Sequence, residues 1–239
     1  MPFAFRSCAP TEHQVETPLR RSHVSRELKF DGFTLLRAFM PGSTTLEAVS
    51  TLGIVVALPG LETVQSLVPK RCEESTPNTY SGTFGRGAFP LHTDLAHWAQ
   101  APRYLALRSV GPTVGVPTTL LDARPLLMEV GEEELHRSLV RPRRPIGGAS
   151  SLLRLLECRP EATQLRWDPL FLEAANHRAV SSVTAVEACL SRVSPIAVVL
   201  EKDDVLIVDN WRMLHGRGEV TSGAENRHLE RCFVKEVAP

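Results

Sequence analysis

The residue pattern best suited to chemistry is a histidine and an aspartate two positions apart, His92 and Asp94, with His215 far downstream. In an extended segment side chains alternate between two faces, so His92 and Asp94 point the same way. His215 follows the apolar run of residues 205–208 and is the candidate third ligand. Two imidazoles and one carboxylate on one side of an octahedral ion leave three positions open, the arrangement typical of non-haem Fe(II) centres.

A His-x-Asp pair by itself also suits an ordinary hydrogen-bonded surface strand. The pattern that gives it weight lies near the C-terminus, where Arg227 and Arg231 are four positions apart. If this stretch is a strand, Arg227, Leu229 and Arg231 share one face. Arginine on the inward face of a small barrel is costly unless it meets an anion, and its planar fork fits a carboxylate. The two arginines therefore indicate either a site for anionic groups or a structural salt bridge.

Charge and cysteine content narrow the class of protein. The 239 residues suit one domain, and 27 basic side chains balance 27 acidic ones. This balance argues against nucleic-acid binding through a broad basic surface and against a polybasic membrane patch. The five cysteines are scattered without a Cys-x-x-Cys motif, which favours a reducing compartment. Because neither a signal peptide nor a membrane-spanning run is evident, we expect a cytoplasmic protein.

Short strands separated by turns dominate the chain. Residues 30–39 predict a short turn at Gly32 followed by a buried strand. Apolar or alternating runs predict further strands at residues 54–58, 104–110, 118–121, 196–200, 205–208 and 231–237. Helices are predicted after Thr44, whose capping-box partner is Glu47, after Asp122, and at residues 132–140, 151–158 and 180–193. Residues 1–27 are polar and without clear periodicity, so we expect an N-terminal arm that could be partly disordered, followed by one domain at residues 28–239. The whole pattern predicts a mainly β fold, a sandwich or jelly roll with helical additions.

Four further stretches have alternative interpretations. The glycine-rich residues 70–90 lead into His92 and could be a mobile substrate lid or an ordinary surface loop. The basic residues 141–148 could be a solvated linker, or they could bind an anionic substrate or a partner. Strand spacing would place His97 on the face opposite His92, which predicts a core or surface histidine. Residues 166–168, Arg-Trp-Asp, are interpreted as packing or salt-bridging residues.

The H-x-D pair, the D-N-x-R-x-x-H-G-R block at residues 209–217 and the closing R-x-x-x-R resemble the TauD/TfdA group of Fe(II)- and 2-oxoglutarate-dependent dioxygenases, which are clavaminate synthase-like. The resemblance covers residues 30–239 and implies a double-stranded β-helix (jelly roll, cupin-like) core. It implies that His92, Asp94 and His215 bind Fe(II). It also implies a reaction in which 2-oxoglutarate and O2 give succinate and CO2 while an unactivated C–H bond of a small molecule is hydroxylated.

The same resemblance assigns roles around the iron. Arg227 would hold the distal carboxylate of 2-oxoglutarate, with support from the hydroxyl of Thr119. Where the family has Gly-Gly-Asp-Thr, this chain has Val-Pro-Thr-Thr, so Thr118 could take that role instead. Arg231 would lie near the primary substrate and meet its anionic group, which suggests a carboxylate-bearing substrate such as an amino acid or a biosynthetic intermediate.

Two further expectations follow from the resemblance. Asn210 and Arg217 would surround the distal histidine. Halogenating relatives have a small residue at the carboxylate position, so Asp94 predicts against halogenation. The oligomeric state is left open, and a homo-oligomer is compatible with the sequence.

Two other classes of protein remain compatible with the residues. A zinc-dependent hydrolase could use the same ligand set to activate water. A non-catalytic jelly roll could bind a small molecule. Arg227 favours the oxygenase, because a hydrolase has no need of a second anion site beside the metal.

Overall fold

Two antiparallel sheets packed face to face form the centre of the molecule. The computed structural model describes residues 12–144 and 151–238. Its helices are α1 (Glu12–Phe30), α2 (Thr45–Ser50), α3 (Tyr80–Phe84), α4 (Arg124–Val130), α5 (Glu132–Arg137) and α6 (His177–Leu190), with a 3-10 turn at Cys72–Glu74. Its strands are β1 (Phe33–Leu36), β2 (Gly53–Val56), β3 (Gln65–Leu67), β4 (Phe89–His92), β5 (Tyr104–Ser109), β6 (Thr118–Asp122), β7 (Leu139–Pro142), β8 (Leu153–Arg154), β9 (Leu156–Cys158), β10 (Thr163–Leu165), β11 (Leu172–Ala174), β12 (Ile196–Val198), β13 (Val205–Asp209), β14 (Met213–Arg217) and β15 (Leu229–Val237).

The larger sheet has the strand order β1-β13-β5-β15-β2, with β3 also paired to β15. The smaller sheet has the order β12-β6-β14-β4. Its neighbours β14 and β4 are antiparallel, with His215 directly opposite His92. Strand register thus brings together two histidines that lie far apart in the sequence.

Alternation along the strands explains how the layers pack. On β13, Leu206 and Val208 face the smaller sheet, whereas Val205 and Ile207 face the helices α1 and α2. Side chains of a strand alternate in this way, so a strand covered on both faces is apolar throughout. The inter-sheet core also takes Leu120 and Met213 from the smaller sheet. This continuous apolar packing fixes the position of β14, which carries His215.

A second core lies on the outer side of the smaller sheet. Helices α4, α5 and α6 pack on the short strands β7–β11 through buried apolar side chains, which include Leu126, Leu135, Trp167 and Val186. Leu214 of β14 also belongs to this core. The strand carrying the distal histidine is therefore covered on both faces, which limits its movement.

The predicted fold class is confirmed: the molecule is mainly β, with helices added around a jelly-roll core. The predicted capping box at the start of α2 is also confirmed. The backbone N–H of Glu47 donates to Thr44 Oγ1, and the Glu47 carboxylate accepts from the Thr44 N–H.

Two helix predictions are wrong. Residues 151–158 form β8 and β9 instead of a helix, and α5 ends at Arg137, where the predicted helix continued to residue 140. In a short apolar run such as residues 152–156, both helical and strand spacings fit the pattern. Pairing decides between them, because β8 pairs with β7 and β9 pairs with β10.

The predicted boundary between the N-terminal arm and the domain, at residue 27, lies within helix α1. Its residues Val24 and Leu28 are buried against the larger sheet. Residues 1–11 lie outside the described residues, and so do residues 145–148 of the predicted basic loop. Residues 141 and 142 of that predicted loop belong to β7 instead. None of the described helices is both long and apolar enough to cross a membrane.

Candidate metal centre

A cavity of about 540 Å³ is lined by both sheets and by residues 75–81. His92, Asp94 and His215 all face it, and each is buried. Nε2 of His92 and Nε2 of His215 each lie 3.6 Å from Oδ1 of Asp94. The three candidate ligands predicted from the sequence are thus brought together at one point of the cavity wall.

Short-range contacts hold the three candidate ligands in place. Nδ1 of His92 lies 2.9 Å from the carbonyl oxygen of Pro90. Because a carbonyl only accepts, Nδ1 carries the proton and Nε2 keeps its lone pair for a ligand. The ring of Tyr80 stacks on His92 with 4.2 Å between the ring centroids. Asn210 accepts a hydrogen bond from the backbone N–H of Asp94 and donates to its carbonyl oxygen, so it fixes the turn that carries the carboxylate.

Asp94 also has a basic partner. Its Oδ2 accepts from Nη1 of Arg231 at 2.7 Å, while Nε and Nη2 of Arg231 donate to Oε1 of Gln65 at 3.2 and 2.6 Å. Arg231 therefore directs one carboxylate oxygen toward itself and leaves Oδ1 toward the two imidazoles.

The electrostatics favour the ionised carboxylate and a neutral His215. Burial alone would raise the pKa of Asp94, but the charge of Arg231 and the two imidazoles hold it well below its usual range. Burial lowers the pKa of His215. A carboxylate and a neutral imidazole are the forms that bind a metal.

This donor set fits a divalent metal ion. Each 3.6 Å separation between Asp94 Oδ1 and an imidazole Nε2 is shorter than the sum of two metal–ligand distances of about 2.1 Å, so one ion can bind Asp94 together with either histidine. The three donor atoms lie within 4.8 Å of one another, and they are the only such His/Cys/Asp/Glu cluster in residues 12–144 and 151–238. Nδ1 of His215 is buried without a hydrogen-bond partner. Two nitrogens and one carboxylate oxygen match the facial set of Fe(II) oxygenases.

The same cavity is also lined by a basic group without an acidic partner. Arg227 is buried, and its guanidinium makes a 3.3 Å hydrogen bond to Oγ1 of Thr118. Burial, followed by the charge of Arg217, lowers the pKa of Arg227 to about 10. No carboxylate among the described residues forms an ion pair with Arg227, so its charge is available to a ligand.

Thr118 and Thr119 lie on opposite faces of β6. Thr118 is buried and lines the cavity, whereas Thr119 is absent from the lining and is only partly buried. Strand alternation requires this difference between neighbours. The geometry therefore favours Thr118, the alternative of the two predicted threonines, as the hydroxyl beside Arg227.

Arg217 is a structural neighbour of this group. Its Nη2 donates to the carbonyl oxygens of Gly85 and Gly87, at 2.7 Å each, and its guanidinium lies 3.6 Å from the ring centroid of Phe89. Arg217 thus fixes the segment that leads into β4. Asn210 is hydrogen-bonded to the backbone of Asp94 and to the carbonyl oxygen of Pro102. Its place around the distal histidine, which the resemblance implies, stays a prediction.

Two cavity residues were missed by the sequence analysis. His97 lines the cavity although strand spacing predicted the opposite face, because β4 ends at His92 and a turn with Leu95 at φ 56° follows. Asp168, interpreted as a packing or salt-bridging residue, also lines the cavity. No local pattern marks Asp168, because its place depends on a contact between distant segments: the backbone of Trp167 is hydrogen-bonded to Thr93.

The comparison with protein families finds one match. Residues 195–233 match the family described as taurine catabolism dioxygenase TauD, TfdA family. The matched segment contains His215, Arg227 and Arg231. The resemblance predicted from the sequence is thereby confirmed. No curated protein matches the chain in a sequence comparison.

Solved structures show the same fold. An asparagine oxygenase in complex with Fe(II), 2S,3S-3-hydroxyasparagine and succinate matches with a TM-score of 0.69 and 20% identity, over 91% of this chain and 79% of that chain. The non-haem iron oxygenase OrfP, in complex with Fe, succinate and (3S)-hydroxy-L-Arg, matches with a TM-score of 0.68 and 21% identity, over 93% and 80%. PvcB from Pseudomonas aeruginosa matches with a TM-score of 0.65 and 22% identity, over 92% and 81%.

Proposed function

We propose that this chain is an Fe(II)- and 2-oxoglutarate-dependent dioxygenase that hydroxylates an unactivated C–H bond of a small carboxylate-bearing molecule, such as an amino acid or a biosynthetic intermediate. One observation carries the proposal: the three candidate metal ligands share a cavity with Arg227, a buried guanidinium that has no ion partner among the described residues. The structurally similar asparagine oxygenase and OrfP, which were solved with hydroxylated amino acids and succinate, support the reaction class.

The cavity side chains would bind the metal ion and 2-oxoglutarate. His92, Asp94 and His215 would hold Fe(II), which when bound supplies activation of O2. Arg227 would bind the distal carboxylate of 2-oxoglutarate, and the hydroxyl of Thr118 would donate to the same group. The overall reaction is balanced: one oxygen atom of O2 enters succinate as 2-oxoglutarate loses CO2, and the other enters the hydroxylated product.

The cavity wall would place the substrate and exclude water. Leu95, Leu107 and Phe171 supply apolar surface around the metal centre. Arg231 lines the cavity and is 22% exposed at its side chain, so a substrate carboxylate can reach it while it remains paired with Asp94. Holding a C–H bond close to the oxidant is the main contribution that such a site can make.

The location and the assembly of the protein are also proposals. We infer a cytoplasmic enzyme that acts on a small molecule and binds neither nucleic acid nor membrane, and a homo-oligomer is compatible with it. The four described cysteines are all free, and the acidic and basic side chains balance at 27 each. These two features support the proposal.

The proposed function is tested with purified protein under anaerobic conditions. Adding Fe(II) and 2-oxoglutarate should give a weak visible absorption band, and O2 should then release succinate. His92→Ala should give neither the band nor succinate. The protein would be a zinc-dependent hydrolase if it turned over without 2-oxoglutarate and O2, and a non-catalytic binding protein if no band formed. Normal activity of His92→Ala would refute the metal assignment.

A further inference from the structure

Asp168 differs from the other buried aspartates of the described chain in having no arginine partner. Asp94, Asp168, Asp204 and Asp209 are the buried aspartates. Asp94 pairs with Arg231, Asp204 with Arg37 and Asp209 with Arg103. No basic side chain in residues 12–144 and 151–238 forms an ion pair with Asp168. A buried carboxylate without a counter-charge is costly, and it requires an explanation.

A structural role accounts for only one of its two oxygens. Oδ1 of Asp168 accepts from the backbone N–H groups of Leu170 and Phe171 and from the hydroxyl of Tyr80, each at 2.9 Å. These bonds fix the turn that follows Trp167. Oδ2 takes part in no hydrogen bond with the described residues. Since Asp168 lines the cavity, a ligand there can reach this second oxygen.

The position of Asp168 relative to the metal centre suits a substrate contact. The ring of Tyr80 stacks on the ring of His92, and its hydroxyl donates a hydrogen bond to Asp168. One tyrosine side chain therefore contacts both the carboxylate and a candidate metal ligand. His97 lines the same cavity, and its Nδ1 is buried without a hydrogen-bond partner. An unpaired carboxylate and an unpaired imidazole nitrogen therefore face the space that a substrate would fill.

The cavity thus contains two kinds of unpaired charge. Arg227 is the cation that would meet 2-oxoglutarate, and Asp168 is an anion that 2-oxoglutarate, itself an anion, would not approach. Burial raises the pKa of Asp168, because a charge is unfavourable in the interior of the protein. A positively charged group would relieve that cost and satisfy Oδ2 with a charge-assisted hydrogen bond.

We propose that Asp168 binds a cationic nitrogen of the primary substrate, an ammonium or guanidinium group, with His97 as a second polar contact. The substrate would then carry at least one cation beside the carboxylate that Arg231 can meet. This inference rests on the proposed function only in taking the cavity as the site of the primary substrate.

The test uses matched compounds that differ in their cationic groups: pentanoate with none, L-norvaline with one and L-ornithine with two, together with L-lysine and L-arginine. Binding to the anaerobic protein loaded with Fe(II) and 2-oxoglutarate is measured by calorimetry and by quenching of Trp98, which lines the cavity. Turnover is measured as O2-dependent succinate and hydroxylated product. We expect an ammonium- or guanidinium-bearing compound to bind at least tenfold more tightly than pentanoate.

Asp168→Asn keeps an oxygen for the Leu170, Phe171 and Tyr80 bonds but removes the charge. It should weaken binding of the best cationic compound by roughly 30-fold or more, the range found when one partner of a buried charge pair is lost. The effect should be on KM more than on kcat. Tyr80→Phe is the matched control, because it keeps both the charge and the ring that stacks on His92, and it should change binding only a few-fold.

Three results would overturn the inference: equal binding of pentanoate and the amines, no binding of any cationic compound, or unchanged affinity of Asp168→Asn. Circular dichroism and thermal unfolding of Asp168→Asn show whether the variant is folded. The visible band with Fe(II) and 2-oxoglutarate separates the two proposals. If the band forms but charge discrimination is absent, only the inference about Asp168 fails, whereas absence of the band contradicts the proposed function.

Discussion

Arg227 and Arg231 lie four residues apart beside the same cavity, but they have different partners. Arg231 is paired with the carboxylate of Asp94 and is held from its other side by Gln65. Arg227 has only the hydroxyl of Thr118 at 3.3 Å, and no described acidic residue forms an ion pair with it. The charge of Arg231 is thus partly neutralised by the protein, whereas no described carboxylate neutralises the charge of Arg227.

Three other arginines are buried in the described chain, and the protein itself supplies partners for each of them. Arg217 has no ion-pair partner among the described residues, but it donates to the carbonyl oxygens of Gly85 and Gly87. Arg108 pairs with Asp203, and Arg166 pairs with Glu157. Arg108 and Arg166 also donate to several backbone carbonyl oxygens, as expected for cations that stabilise the fold. Arg227 has neither kind of partner in the described residues, apart from one hydroxyl. Because a buried unpaired guanidinium is costly, we infer that 2-oxoglutarate completes the Arg227 site.

The largest effect is expected from removing the carboxylate that Arg231 shares with the metal centre. Asp94→Ala should reduce Fe(II) affinity by more than about 100-fold, the upper range seen for residues that only support a metal ligand. Succinate release should fall to background. Fe(II) binding is measured by anaerobic titration. Retention of wild-type Fe(II) affinity would show that Asp94 forms an ion pair with Arg231 but does not bind the metal.

Arg227→Met should affect the co-substrate and spare the metal. Its Kd for 2-oxoglutarate should rise roughly 100-fold, since a buried charge pair loses one partner, while Fe(II) affinity should change little. Burial lowers the pKa of Arg227 to about 10, so below that pH the charge is less favourable in the folded protein than in the unfolded chain. Stability at pH 7 should therefore be unchanged or higher. A variant that lost stability without losing 2-oxoglutarate affinity would assign Arg227 to the scaffold.

Arg231→Gln should show the opposite pattern. It frees Oδ2 of Asp94, so Fe(II) affinity should fall by roughly 10-fold to 100-fold, whereas 2-oxoglutarate affinity should fall less. Gln65→Leu is the matched control, because Gln65 contacts Arg231 but does not line the cavity. It should weaken Fe(II) binding only a few-fold. If Arg231→Gln affected substrate KM alone, its pairing with Asp94 would have no role in metal binding.

Much of the fold and of the candidate metal centre could be predicted from the sequence, because strong local patterns indicated them. The apolar run of residues 205–208, the capping box at Thr44 and the H-x-D spacing each depend on neighbouring residues only. The meeting of His92 and His215 requires the pairing of β4 with β14, for which the sequence offers a resemblance but no local signal.

The errors have a common physical cause. Residues 151–158 form strands because β7 and β10 offer partners, and His97 faces the cavity because the chain turns immediately after β4. Asp168 reaches the cavity through the bonds between Thr93 and Trp167. The strands at residues 151–158 and the position of Asp168 depend on contacts between segments far apart in the chain. The turn that places His97 depends on such a contact too, because the side chain of Asn210 is hydrogen-bonded to the backbone of Asp94. Periodicity within a short window does not contain that information.

The smallest effect concerns stability, and it separates a ligand-binding Asp168 from a structural one. Burial raises the pKa of Asp168 in the folded protein above its unfolded value. At a pH below the pKa of the unfolded chain, Asp168 is protonated in both the folded and the unfolded state, and its ionisation does not change the free energy of unfolding. As pH rises through the window between the two pKa values, the unfolded chain loses its proton first, so the free energy of unfolding falls. Asp168→Asn should therefore match the wild type in acid and equal or exceed it at pH 7, as measured by urea unfolding at both pH values. A structural carboxylate would give the reverse result at pH 7, because its replacement would remove a favourable charged interaction.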